Sequence, residues 1–249
     1  MELICYLSNG YPTMKESGDT AAAYAEAGCG IIEVALPSRN PYMDNDLIAG
    51  HMRKALEQCG DYERYMDHMV LLKKRLPQVH FLLLVYEDTI CEIGVKQFSE
   101  FCREHGFLDI ILTGVRGKEI QEQLMEQGLL VSCYITSLLP PDEVRQALQS
   151  NGFVYLQAKP FHTLPDGEHG EMVQKSLKER IACLRSLGIV RPIYCGVGIA
   201  TPEDVREVEI AGADAVFVGS AILKLLENKE EMVRLIQQMK QASTCNTGR

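Results

Sequence analysis

Short apolar runs alternate with helix-like stretches eight times along the chain, and few folds tolerate that pattern. The runs occupy residues 3–7, 31–35, 80–86, 108–113, 129–135, 153–157, 191–195 and 215–218. Each is too short for a helix and rich in Val, Ile and Leu, which marks a strand buried on both faces. Turn and cap residues punctuate the stretches between them. Thr13 with Glu16 opens the first helix and Gly28 ends it. Residues 46–75 hold one or two helices, broken near Gly60-Asp61, and Pro77 closes them. A helix is predicted over about 92–105, ending at Gly106, and the next stops at Gly128. Pro140-Pro141-Asp142 starts another, which Asn151-Gly152 ends. A glycine-, proline- and histidine-containing loop runs to about Gly170, followed by a helix to Gly188. Thr201-Pro202-Glu203-Asp204 caps a helix that ends at Gly212, and a long last helix runs to about Gln241. Strands alternating with helices require right-handed crossovers and a parallel sheet. Eight such units predict one (β/α)8 barrel over residues 1–249, with a frayed tail at 242–249. An open doubly wound sheet is the other architecture this alternation permits.

Bulk properties exclude several function classes. A net charge of -9 disfavours nucleic acid as a partner. No apolar run approaches the roughly 18 residues that span a bilayer. Met1 leads into a strand without a basic segment, which predicts no signal peptide and a cytoplasmic protein. The nine cysteines form no C-x-x-C pair and read as reduced core residues. The six histidines lack the spacing of a zinc site, so no metal is expected.

In such barrels, chemistry sits at the C-terminal ends of the strands. Glu33 interrupts the second apolar run, and a buried strand keeps an acid only with a partner or a task. It reads either as a satisfied core carboxylate or as a general acid/base whose pKa its apolar surroundings lift. Asp44 follows in a loop where Pro37 and Pro41 oppose a helix. It is either a helix-entry acid or the second member of a catalytic pair. Glycines follow the last two strands, as Cys195-Gly196-Val197-Gly198-Ile199 and Val218-Gly219-Ser220-Ala221-Ile222. Loops there commonly bind phosphate through backbone N–H groups. Tyr155 in the sixth strand is a core aromatic or a hydroxyl in the barrel mouth. Lys159, just beyond it, is a solvated charge, an attractor of phosphate, or a Schiff-base lysine.

Together these residues resemble the tryptophan synthase alpha subunit family over nearly the whole chain. Asn9-Gly10-Tyr11-Pro12 is similar to the family's turn after strand one. The run from Ile32 to Asp44 is similar to its E-x-G-x-P-F-S-D-P-x-A-D signature, with the same spacing between the two acids. Gly196-Val197-Gly198-Ile199 and Gly219-Ser220-Ala221-Ile222 resemble its G-F-G-I and G-S-A-I phosphate motifs. The resemblance implies retro-aldol cleavage of indole-3-glycerol phosphate to indole and glyceraldehyde 3-phosphate, without metal or cofactor. It implies that Glu33 protonates the indole ring carbon and that Asp44 meets the indole nitrogen. Tyr6 and Tyr155 would line the substrate pocket, and Gly198, Gly219 and Ser220 would hold the phosphate. It also implies a pyridoxal-phosphate beta subunit as partner, in an assembly of two alpha and two beta chains.

The chain departs from the family at several loops. Asn40 stands for an aspartate, and Asn45-Asp46 for a Gly-Pro pair. Gly114-Val115-Arg116 replaces an aspartate-proline, and Lys159-Pro160-Phe161-His162-Thr163-Leu164 replaces R-x-G-x-T-G. Met1 stands directly before strand one, so the helix that precedes that strand in the resembling family is not expected. These changes leave open a lyase or isomerase acting on another phosphorylated molecule, or a regulatory subunit without turnover.

Overall fold

The computed structural model describes residues 1–114, 118–160 and 175–244. Its parallel strands are β1 (Glu2–Ser8), β2 (Ile31–Ala35), β3 (His80–Tyr86), β4 (Asp109–Thr113), β5 (Leu130–Val131), β6 (Cys133–Ile135), β7 (Val154–Gln157), β8 (Ile193–Gly196) and β9 (Ala215–Val218). They are ordered β5-β4-β3-β2-β1-β9-β8-β7-β6. The two ends of that order are halves of the predicted fifth strand, so the sheet closes on itself as a barrel. β5 bonds towards β4, with Leu130 N–H donating to Leu108 C=O at 2.8 Å. β6 bonds towards β7, with Cys133 N–H donating to Phe153 C=O at 3.1 Å.

The split has a local cause that the apolar run concealed. The turn after the following helix takes the backbone groups of Val131 for itself. Asn151 Oδ1 accepts from Val131 N–H at 2.9 Å, and Ser150 Oγ donates to Val131 C=O at 2.6 Å. With those groups engaged, the strand breaks at Ser132 and resumes on its other neighbour.

Helices α1 (Met14–Glu26), α2 (Asp46–Gln58), α3 (Tyr62–Arg75), α4 (Glu87–Ile93), α5 (Val95–His105), α6 (Glu119–Glu126), α7 (Pro141–Gln149), α8 (Leu177–Ser186), α9 (Pro202–Ala211), α10 (Ser220–Leu223) and α11 (Lys229–Ala242) make the connections. The break near Gly60-Asp61 is present, and Asp61 caps α3 by accepting from Glu63 N–H at 2.9 Å. Thr13 Oγ1 caps α1. Thr201 and Asp204 form a capping box on α9, with Pro202 in its first turn. Gly94 separates α5 from α4, which lies almost wholly before the helix expected over 92–105, and residues 224–228 divide the expected last helix into α10 and α11. Ala242 closes α11, and the N-terminal amine of Met1 donates to Ser243 C=O at 3.2 Å. Residues 245–249 of the expected tail lie outside the described residues.

Strand alternation sorts side chains into two cores. Leu3, Cys5, Leu7, Ile32, Val34, Leu83 and Val85 face the helices. Ile4, Tyr6, Ile31, Ala35, Leu82, Leu84, Tyr86, Phe153 and Phe217 pack together inside the barrel. The eight described cysteines are free, five of them buried.

Candidate active site

Glu33 lies between Ile31 and Ala35, both inward-facing, so its side chain enters the barrel. It is paired in register with Tyr6 on β1 and Leu82 on β3 and is 4% exposed. No cation balances it among the described ion pairs. Burial first, and then the charge of Asp44, push its pKa up to about 8. A pKa above neutrality favours the protonated form of Glu33.

Asp44 reaches the same cup from the loop after β2. Tyr86, at the end of β3, fixes it there: the phenol donates to Asp44 Oδ2 at 2.7 Å and accepts from Met43 N–H at 3.1 Å. Burial raises the Asp44 pKa, and the Tyr86 hydrogen bond opposes the rise. Tyr86 was not singled out in the sequence. It sits at the end of an apolar run, where an aromatic reads as core, and only the loop folding back reveals its phenol as an anchor.

The opposite wall is aromatic and glycine-rich. Tyr155 stacks on Phe217 with centroids 4.3 Å apart and planes 6° apart, and meets Tyr134 edge-on at 5.5 Å. Burial and the charge of Glu33 both raise the Tyr155 pKa, so its hydroxyl stays protonated. A methyl group at Gly196 would overlap the Tyr155 hydroxyl, which explains why β8 ends in glycine. Val197 and Gly198 follow with φ of 73° and 79°. Positive φ costs Gly198 little, but for a β-branched residue such as Val197 it is strained. Gly219 backs onto Tyr6, whose Cβ lies 3.6 Å from where a side chain would start. Ser220 follows it and opens α10.

Lys159 lies along this wall. Its stem packs over Gly198 and its amine pairs with Asp204. Asp204 in turn accepts from Ala200 N–H at 2.8 Å and Thr201 N–H at 2.9 Å. The fold thus holds this cation against the loop after β8. Asn45, noted in the sequence only as a departure, bridges the two walls. Its Nδ2 donates to Ser220 Oγ at 3.0 Å.

Of the seven predicted site residues, Tyr6, Glu33, Asp44 and Tyr155 lie close enough to act on one another electrostatically, Gly219 backs onto Tyr6, Ser220 is bonded to Asn45 beside Asp44, and Gly198 lies under the Lys159 stem. Val115, Arg116 and residues 161–164 lie outside the described residues. Among the described residues, no group of acids, histidines and cysteines could hold a metal ion. No described helix is long and apolar enough to cross a membrane.

A closed parallel barrel with its polar groups gathered at the C-terminal strand ends is a (β/α)8 barrel of the enzyme type. The chain belongs to the tryptophan synthase alpha chain family, whose model matches residues 1–247. It is 29% identical to the tryptophan synthase alpha chain of Methanosarcina mazei, over 96% of this chain and 87% of that one. It is 27% identical to that of Gloeobacter violaceus, over 96% of this chain and 88% of the relative. A solved structure of tryptophan synthase from M. tuberculosis, in an open form, superimposes with a TM-score of 0.82 at 23% identity, covering 98% of this chain and 93% of the other. The alpha chain from Legionella pneumophila superimposes with a TM-score of 0.80 at 20% identity, covering all of this chain and 93% of that one. At those identities the two structures bear on the fold.

Proposed function

We infer that this chain is a tryptophan synthase alpha subunit, a lyase that cleaves indole-3-glycerol phosphate to indole and glyceraldehyde 3-phosphate. The observation that carries the residue assignment is Glu33. It is a buried, inward-facing carboxyl with no cation among the described ion pairs, and burial and the charge of Asp44 push its pKa up to about 8.

In the proposed mechanism, Glu33 donates its proton to the indole ring carbon that bears the glycerol chain. The ring becomes an electron sink, and positive charge builds at its nitrogen. Asp44, held by Tyr86, stabilises that charge by accepting a hydrogen bond from the ring N–H. The carbon–carbon bond then breaks, and its electron pair restores the aromatic ring. The neighbouring side-chain hydroxyl loses its proton and becomes the aldehyde. The carboxylate left on Glu33 is the base that takes this proton, so the acid is regenerated. Tyr6 and Tyr155 wall the ring pocket. Gly198, Gly219 and Ser220 receive the phosphate, with Lys159 as a nearby positive charge.

The departures at Asn40, Asn45 and Asp46 leave both acids in the cup. A beta subunit carrying pyridoxal phosphate is the proposed acceptor of the indole. The test is Glu33→Gln assayed for indole release and, separately, for glycerol 3-phosphate binding. Release should fall by roughly a hundred- to ten-thousandfold, with binding retained. Unchanged turnover would remove Glu33 from the mechanism.

A further inference from the structure

The amide of Asn45 joins the loop that carries Asp44 to the loop that begins α10, and its orientation can be read from its partners. Asn45 Oδ1 accepts from Leu47 N–H at 3.1 Å and from Ile48 N–H at 3.2 Å, capping α2. Both donors are backbone groups, so the oxygen must face them. The amide nitrogen is thereby turned towards Ser220, 3.0 Å from its Oγ. An amide nitrogen only donates. Ser220 Oγ is therefore the acceptor in this bond, and its single O–H is left to donate elsewhere.

We propose that Asn45 is a positioning residue that presents the Ser220 hydroxyl as a hydrogen-bond donor to the substrate's phosphoryl group. Phosphoryl oxygens at neutral pH accept hydrogen bonds, so a serine locked as donor suits them and a freely rotating serine suits them less. Accepting one hydrogen bond also polarises the hydroxyl and strengthens the bond it donates. The same bridge ties the loop of Asp44 to the phosphate end of the cup. A substrate gripped at its phosphate thus meets an acid loop already fixed at two points, Tyr86–Asp44 and Ser220–Asn45. The residue is specific to this chain's loop, because Asn45-Asp46 replaces the Gly-Pro pair of the resembling signature. The inference deepens the proposed function and rests on its placing of the phosphate at Ser220.

The experiment is a double-mutant cycle read by glycerol 3-phosphate binding in isothermal titration, with thermal unfolding alongside. Asn45→Ser keeps a good helix cap but is too short to reach Ser220. It should weaken glycerol 3-phosphate binding about three- to tenfold, the range expected for one hydrogen bond, with little change in unfolding temperature. Ser220→Ala should weaken binding by at least as much. Adding Asn45→Ser to Ser220→Ala should then cost nothing further, since the hydroxyl being oriented is gone. Steady-state kinetics should show the single Asn45→Ser loss mainly in KM. Binding by Asn45→Ser equal to that of the unaltered chain overturns the proposal. So does an equal further loss in the Ser220→Ala background, which would mean that Asn45 acts independently of Ser220. Unaltered binding in Ser220→Ala overturns the placing of the phosphate itself, and this inference falls with it.

Discussion

The two sides of the barrel interior achieve their polarity in opposite ways. On the β1–β4 side, aliphatic residues such as Ile4, Ile31, Leu82 and Ile111 share the interior with Tyr6 and Tyr86, Glu33 is in register with Tyr6 and Leu82, and the functional groups are side chains. On the β7–β9 side, Phe153, Tyr155, Tyr194 and Phe217 stack on one another, and the features that stand out are glycines and the backbone they expose. The aliphatic side strips solvent from a carboxyl and keeps it protonated. The aromatic side is rigid, and its stack leaves room at Gly196 only for a hydrogen atom. One side tunes a proton, and the other fixes a shape.

Substitutions can break that contrast. The largest expected effect is on the proton. Glu33→Gln should lower kcat by roughly a hundred- to ten-thousandfold, the usual contribution of a general acid. The pH dependence should carry the same signature. In the unaltered chain, kcat/KM should fall as pH rises through about 8, where Glu33 loses its proton. Stability should move the same way. Between the ordinary carboxylate pKa near 4.5 and about 8, the unfolded chain has released this proton and the folded chain has not. The unfolded state therefore binds fewer protons there, and stability falls with rising pH. Glu33→Gln should remove that slope in urea unfolding measured from pH 5 to pH 8, making the variant the more stable chain at the alkaline end. An unchanged slope would mean that Glu33 titrates normally.

The next effect tests the rigid side. Gly196→Ala should destabilise the fold by about 1–3 kcal/mol in denaturant unfolding, because the Tyr155 hydroxyl already occupies the space of the new methyl. A neutral result would show that the aromatic stack yields easily. Tyr86→Phe should act on turnover rather than on the fold. Losing one hydrogen bond to a charged group is worth about 1.5–3 kcal/mol, so kcat should fall roughly ten- to a hundredfold, with glycerol 3-phosphate affinity kept. If affinity falls instead, Tyr86 serves the phosphate side. Lys159→Met should have the smallest effect. Its ion pair with Asp204 is half-exposed, so stability should change by less than about 1 kcal/mol, with a modest loss of glycerol 3-phosphate affinity. Borohydride treatment of the unaltered chain with substrate should leave Lys159 without an adduct, whereas a mass increase there would point to a Schiff-base aldolase.

The same contrast governs how much could be read from the residues. Glu33 is legible because a carboxylate in a run of Ile, Val and Ala is a chemical anomaly. Gly198 and Gly219 are legible because they follow the last two strands. Tyr86 and Asn45 are not legible in that way. A tyrosine closing HFLLLVY looks like packing, and an asparagine before a helix looks like a cap, which it also is. Their partners, Asp44 and Ser220, lie 42 and 175 residues away along the chain. Gly196 explains itself only once Tyr155, on the neighbouring strand, is seen to fill its missing side chain.

The sequence by itself determined the eight-unit alternation, and with it a parallel sheet and the strand ends where polar residues converge, while closure into a barrel was the architecture it favoured over an open sheet. Hydrophobic period, caps and glycines are local signals and act within a few residues. Only the tertiary structure decided that the fifth strand divides at Ser132, that Asp44 hangs from Tyr86, and that Asn45 turns its amide to Ser220. Those outcomes depend on hydrogen bonds between groups far apart in the chain, and such bonds are directional: they exist only when folding has set donor, hydrogen and acceptor in line.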